Sequence, residues 1–354
     1  MRFISLKRIF VVFTLAPLFC FLFVINRIFL LLDYLVFPAF LKQSITNPVF
    51  IISAPRSATT FVYQGLASTN EFTCFKLWEI IFAPSICQKY FFNWLFQVDK
   101  KLSNPLKKLV LWIEEILIGK LKKIHLIGLN LPEEDEAVML WSLNTFYFSF
   151  FYPDSAIFDD FALFDQKINK IQRERIMSNY KKYIQRHQFV FNRNQQRRFL
   201  SKNPMLMPKC ASLYQIFPDA QIININRCPG EVIPSTLALN QTLCGFFTSK
   251  KMTEEIRSQT KEVLIEWYIH CEAKLNLHFS GQFIKISFLK IINQEQNELF
   301  GLANFLHISP EKLWWQKTEM NKKHKSSNNY SKLSDSELEQ ILNEIPFMTE
   351  SCRL

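Results

Sequence analysis

Glycine is scarce, with seven in 354 residues, so few positions offer a turn the freedom of positive φ. The eight cysteines, at 20, 74, 87, 210, 228, 244, 271 and 352, form no Cys-x-x-Cys pair and no framework spacing. They read as reduced, mostly buried thiols of a cytosolic chain. The six histidines sit near none of them at ligand spacing, which argues against a metal site. There is also no internal repeat, no low-complexity tract and no DNA- or RNA-binding motif, so nucleic acid is not an expected partner. What the chain does have is 36 Phe and a net charge of +11. A basic, apolar-rich chain points to anions: phosphate groups or a membrane surface.

Residues 9–26 are uncharged and follow Arg2, Lys7 and Arg8. That run approaches the ~20 residues needed to cross a bilayer, and a second apolar run, 28–41, carries Asp33. No small-residue cleavage site follows, so a signal peptide is a poor reading. Pro17 and Pro38 are expected to break the two runs, which permits a hairpin or an in-plane pair besides a single span. Residues 1–44 are therefore expected to form a membrane-associated segment, with contact through 9–41 and the domain facing the cytosol. Only seven residues separate Leu41 from Val49, too few for a stalk. PLKKLVLWIEEILIGKLKKIHLIG (105–128) reads either as a basic amphipathic helix on an anionic surface or as an ordinary core-facing helix.

Further on, apolar strand-like runs alternate with helical ones. Strands are expected at 49–53, 198–202, 221–227 and 282–287. Helices are expected over 59–68, most of 75–95, from Pro132, and over 167–188, 206–216, 230–240 and 254–279. The alternation implies an α/β, P-loop-like three-layer fold with a mostly parallel sheet, spanning 45–330, and a helical tail over 331–354. Ligands of such sheets bind beyond the carboxyl ends of the strands, and three of those ends offer cations: Arg56, Lys202 and Arg227.

The first of these ends, VFIISAPRSATT (49–60), has the strand–loop–helix order of a phosphate cradle but lacks the Lys and both Gly of a Walker A loop. It offers instead Arg56, hydroxyls at 57, 59 and 60, and backbone N–H groups at a helix start. A second stretch, NRCPGEVIPST (226–236), puts a guanidinium at a strand end and Ser235 on the following helix.

With these two motifs in order, the chain resembles the sulfotransferases that use 3′-phosphoadenosine 5′-phosphosulfate, in particular the bacterial branch related to tyrosylprotein sulfotransferases. APRSATTF resembles the 5′-phosphosulfate loop, NRCPGEVIPST the 3′-phosphate motif and SKNP (201–204) the Lys-x-Pro strand, while WE (78–79) and PEEDE (132–136) fall where that branch carries similar pairs. The resemblance implies that Arg56, Ser57, Ala58, Thr59 and Thr60 hold the 5′-phosphosulfate and that Arg227 and Ser235 hold the 3′-phosphate. It implies Lys202 at the sulfuryl group beside Arg56, and Glu79 as general base, with the acids at 134–136 as the other candidates for that base. The activity implied is metal-free sulfuryl transfer to a hydroxyl acceptor, with a lipid or other amphiphile suggested by the nearness of the apolar segment. The pattern is departed from at Ala58 (family Gly), Cys228 (family Asp) and Ala238-Leu239-Asn240, where a basic residue is common. These departures keep a non-catalytic nucleotide-binding or scaffold relative open as an alternative. A nucleotide-dependent kinase is the third reading, against which the missing Gly-Lys-Ser/Thr counts.

Overall fold

The computed structural model describes residues 6–118, 128–151, 159–247, 252–313 and 333–352. His125, His324 and the basic stretch 322–331 lie outside the described residues.

Five parallel strands form one sheet: β1 (Val49–Ile51), β2 (Phe72–Thr73), β3 (Arg198–Lys202), β4 (Gln221–Asn226) and β5 (Phe283–Ser287), in the order β2-β3-β1-β4-β5. The longer helices, in chain order, are α1 (Leu6–Val36), α2 (Thr59–Ala67), α3 (Leu77–Phe82), α4 (Ile86–Lys101), α5 (Pro105–Ile118), α6 (Lys170–Phe191), α7 (Cys210–Ile216), α8 (Pro229–Phe247), α9 (Glu254–His278), α10 (Gln296–Leu306) and α11 (Asp335–Glu344).

Strand side chains alternate between faces, and β1 shows it within a few residues. Phe50 and Ile52 enter the larger core, which holds Phe199, Phe217 and Leu275. Val49 and Ile51 enter the smaller core beneath α2 and α10, with Val62, Leu66 and Leu302. Both faces of the sheet are thus covered, giving the expected three-layer α/β arrangement with a parallel sheet. β2 was missed by the sequence reading, because two residues carry too little pattern. The helix expected from Pro132 is a 3₁₀ segment over Asp135–Ser142, and the one expected across 75–95 divides at Ser85, which caps α4 reciprocally with Gln88.

Pro17 does not break the N-terminal segment, since α1 runs unbroken over 31 residues and is long and apolar enough, by composition, to cross a membrane. Its second half is bound to the domain through its single acid. Asp33 is fully buried and accepts from the backbone N–H of Ile86 (3.0 and 3.1 Å) and Cys87 (3.2 Å), satisfying donors at the start of α4. The same carboxylate pairs with buried Arg186 of α6 at 2.8 Å. Arg186 also donates to Leu30 O (3.1 Å) and lies 4.2 Å from the centroid of the Phe40 ring. One carboxylate therefore joins three helices.

Removing one partner of a buried ion pair leaves an uncompensated charge and costs about 3–5 kcal/mol. Asp33→Ala is expected to lose that much in chemical denaturation of the detergent-solubilised protein. The double variant Asp33→Ala/Arg186→Met is expected to recover part of the loss, and a single variant as stable as the parent would show the junction to be unimportant.

Candidate active site

β1 leads through Ser53 and Ala54 into a tight loop. Ser53 Oγ accepts from Ile225 N at 2.6 Å and Asn224 Nδ2 donates to Ile52 O at 2.8 Å, so the exit of β1 is fixed to β4 before the loop begins. Arg56 (φ 66°) and Ala58 (φ 58°) both take left-handed backbone conformations. For an L-residue with a Cβ that costs about 1–2 kcal/mol, and such strain gathers at ligand clamps. Ala58 thus stands in the conformation that the family glycine would supply without strain. Ser57 is fully buried and its Oγ has no hydrogen-bond partner among the described residues. α2 starts at Thr59 with no side-chain cap, leaving first-turn N–H groups to face the loop. A buried, unsatisfied hydroxyl beside N–H groups at a helix start suits an anion, so the loop fits a phosphosulfate.

The second motif meets the first. Arg56 Nε donates to Ser235 Oγ on α8 at 3.1 Å, and Arg227 Nη1 donates to Arg56 O. Arg227 is also held by Glu231 at 2.7 Å and lies 4.0 Å from the centroid of the Phe288 ring. Residues 179 apart in sequence, Arg56 and Ser235, thereby share one corner of the sheet.

Lys202 closes the other side. Its side chain is 2% exposed, and its ammonium donates to Glu134 Oε1 (2.5 Å) and to Thr60 Oγ1 in the loop (3.2 Å). Tyr147 OH donates to Glu134 Oε2 at 2.7 Å. The two acids after Glu134 are buried among partners of their own. Glu136 is buried and pairs with Lys209 (2.8 Å), Asn203 (3.2 Å) and Thr145 (3.0 Å). Asp135 is buried and accepts from Tyr180 OH. The 134–136 segment is in this way clamped along 202–209.

Glu79 is placed elsewhere. It is 1% exposed, and its bonding partners are His187 Nδ1 (2.7 Å) and Lys89 Nζ (3.3 Å), neither of which belongs to the anion loop. Burial pushes its carboxyl up, but the neighbouring His187 and Lys89 outweigh this and hold it below the ordinary value. The structure brings together Arg56, Thr60, Lys202, Arg227 and Ser235 with Glu134, and leaves Glu79 in a separate buried cluster. That cluster leaves no local pattern in the chain, since α6 reads as polar yet buries Gln185, Arg186, His187 and Gln188.

The expectation that every thiol is reduced is corrected at one pair: Cys228, next to Arg227, is joined to Cys352 by a disulfide across 124 residues. No spacing rule links a cysteine in a loop to one at the far end of the chain. The bond fixes the tail beside the second motif, and disulfides persist in oxidising compartments. It therefore weighs against the cytosolic placement expected from cysteine spacing.

Burial pushes the Asp135 carboxyl up to about 7, opposed chiefly by the hydrogen bond from Tyr180. An unfolded Asp titrates near ~4, so between roughly pH 4 and 7 the folded state holds a proton that the unfolded state has lost. That contribution to stability is complete at low pH and disappears as pH rises through the folded value. Asp135→Asn is expected to remove this slope, so that the variant gains on the parent between pH 5 and pH 8 in urea denaturation. A constant difference across that range would contradict the assignment.

Residues 48–312 match the sequence profile of the Sulfotransferase family. No curated protein is matched by this chain. Among solved structures, sulfotransferase STF1 from Mycobacterium tuberculosis H37Rv superposes with a TM-score of 0.66 at 14% identity, covering 91% of this chain and 82% of its own. Sulfotransferase STF9 from Mycobacterium avium gives 0.61 at 12% identity, with 90% and 80% covered. At such identities the superpositions establish a shared fold, and the profile, which takes in both strand-tip motifs, establishes kinship: the chain belongs to the sulfotransferase family.

Proposed function

We propose that the protein transfers a sulfuryl group from 3′-phosphoadenosine 5′-phosphosulfate to a hydroxyl of a lipid or other amphiphile, with Glu134 as general base. The observation that carries this reading is the double role of Lys202, whose ammonium touches both the anion loop at Thr60 and the carboxylate of Glu134. Donor side and acceptor side are thereby joined through one cation.

The donor supplies an activated sulfuryl group, and sulfuryl transfer resembles phosphoryl transfer in needing position and charge stabilisation rather than a covalent protein intermediate. Arg56, Ser57, Thr59 and Thr60 would hold the 5′-phosphosulfate, with the loop N–H groups, while Arg227 and Ser235 would hold the 3′-phosphate. Lys202 would place its charge where negative charge grows on the leaving oxygen. Glu134 would take the acceptor proton. The Glu134 side chain is 22% exposed, so an acceptor hydroxyl can approach it. The buried Glu79 has no such access.

An amphiphilic acceptor is supported by what adjoins Glu134. The 3₁₀ segment that follows it carries Trp141, which stacks on Phe19 of α1 at 5.8 Å and 15°. That buried contact ties the segment behind Glu134 to the apolar helix α1.

With ³⁵S-labelled donor and membrane extract, label is expected in the solvent-extractable lipid fraction. Glu134→Gln is expected to lower turnover about 10²–10⁴-fold, the usual range for a lost general base. Its affinity for adenosine 3′,5′-bisphosphate should change little, whereas Lys202→Ala should lose turnover as well. Undiminished turnover in Glu134→Gln would remove that residue from the role, and label only in free sugars or soluble peptides would remove the lipid acceptor.

A further inference from the structure

Along α1, residues that are not fully exposed recur at Arg8, Val12, Ala16, Phe19, Phe23 and Asn26, and the series continues through Leu30 and Asp33. Steps of three and four residues place them on one face of the helix. That face contacts the domain from end to end. Lys7 Nζ donates to Gly245 O at 2.5 Å, Phe19 stacks on Trp141, Asn26 Nδ2 donates to Ile81 O at 3.1 Å, and Asp33 anchors α4. From Lys7 to Asp33 is about 39 Å at 1.5 Å per residue, longer than the ~30 Å of hydrocarbon in a bilayer. A helix docked over that length can cross only if the flank of the α/β domain enters the hydrocarbon with it.

The opposite face of α1 carries Phe10, Phe13, Phe21, Leu31 and Leu35, exposed by between 62 and 81%. α4 packs against α1 and exposes Phe91 and Trp94. α5 follows, and its apolar residues Leu106, Leu109, Val110, Leu111, Trp112 and Ile113 are exposed by 39–64%, on every side of the helix. Exposed apolar residues at five consecutive positions, 109–113, need an apolar surrounding, and the described residues supply none for them. Exposed Lys100, Lys101, Lys107 and Lys108 stand at the α4–α5 turn.

We infer that α1 lies along one leaflet instead of crossing the bilayer, and that its outer face, α4 and α5 form a single surface seated in an anionic lipid membrane. Tryptophan with lysine at the rim of an apolar surface suits the headgroup region of anionic lipid. A second copy on the same surface would set its lysine cluster against another. The inference is independent of the proposed chemistry.

The test uses the full-length protein in vesicles of phosphatidylglycerol and phosphatidylcholine with brominated acyl chains. α1 contains no Trp, so tryptophan quenching reports the rest of the chain. Quenching is expected in the parent and should fall by more than half in Trp94→Phe/Trp112→Phe. Tags at both termini should be digested by protease from the same side of sealed vesicles. Tags protected on opposite sides would overturn the inference, as would quenching absent from the parent or unchanged in the variant. Self-cross-linking through α5 without quenching would assign the surface to a second copy and overturn it as well.

Discussion

The side-by-side pairing of β3, β1 and β4 is the constraint from which the site follows. Ile51 is level with Lys202 on one side and with Ile223 on the other, so all three strands release their chains at one edge. Parallel strands with the central one first in sequence make a switch point there, where a ligand meets loops from both directions. Arg56, Lys202 and Arg227 come from segments far apart in the chain, and only this register makes them neighbours. Lengthening any one strand by a residue would turn its last side chain to the opposite face.

Three cations at one edge repel one another, and the structure distributes their charge. Glu134 takes Lys202, Glu231 takes Arg227, and Phe288 lies against the Arg227 guanidinium. The clamp of 134–136 on 202–209 extends the same logic inward, with each acid assigned its own partner. The cost falls on Asp135, whose burial keeps it from ionising at the pH of an exposed carboxylate.

Much of this was legible in the sequence, for physical reasons. The three strands that bear cations are apolar runs ending in punctuated loops, and the two anion motifs are local patterns that need no tertiary knowledge. What was hidden depends on contacts between distant segments. Glu79 and Glu134 look alike as helix-start acids, and only packing sends one to His187 and Lys89 and the other to Lys202. Asp33 reads as an interruption of an apolar run, yet it is the group that fixes α1 to α4 and α6. Cys228 reads as the loss of a family carboxylate, whereas its partner lies 124 residues on. Pro17 reads as a break, but a helix held along one face tolerates a missing N–H.

The central claim is that two strand tips grip a single nucleotide, and it is tested most directly by a double-mutant cycle between Arg56 and Ser235, read by calorimetric titration with adenosine 3′,5′-bisphosphate. Groups that serve one ligand from one corner should couple by about 0.5–3 kcal/mol, so Arg56→Ala and Ser235→Ala together should cost less than the sum of the two alone. Strictly additive losses, or no binding by the parent protein, would contradict the account.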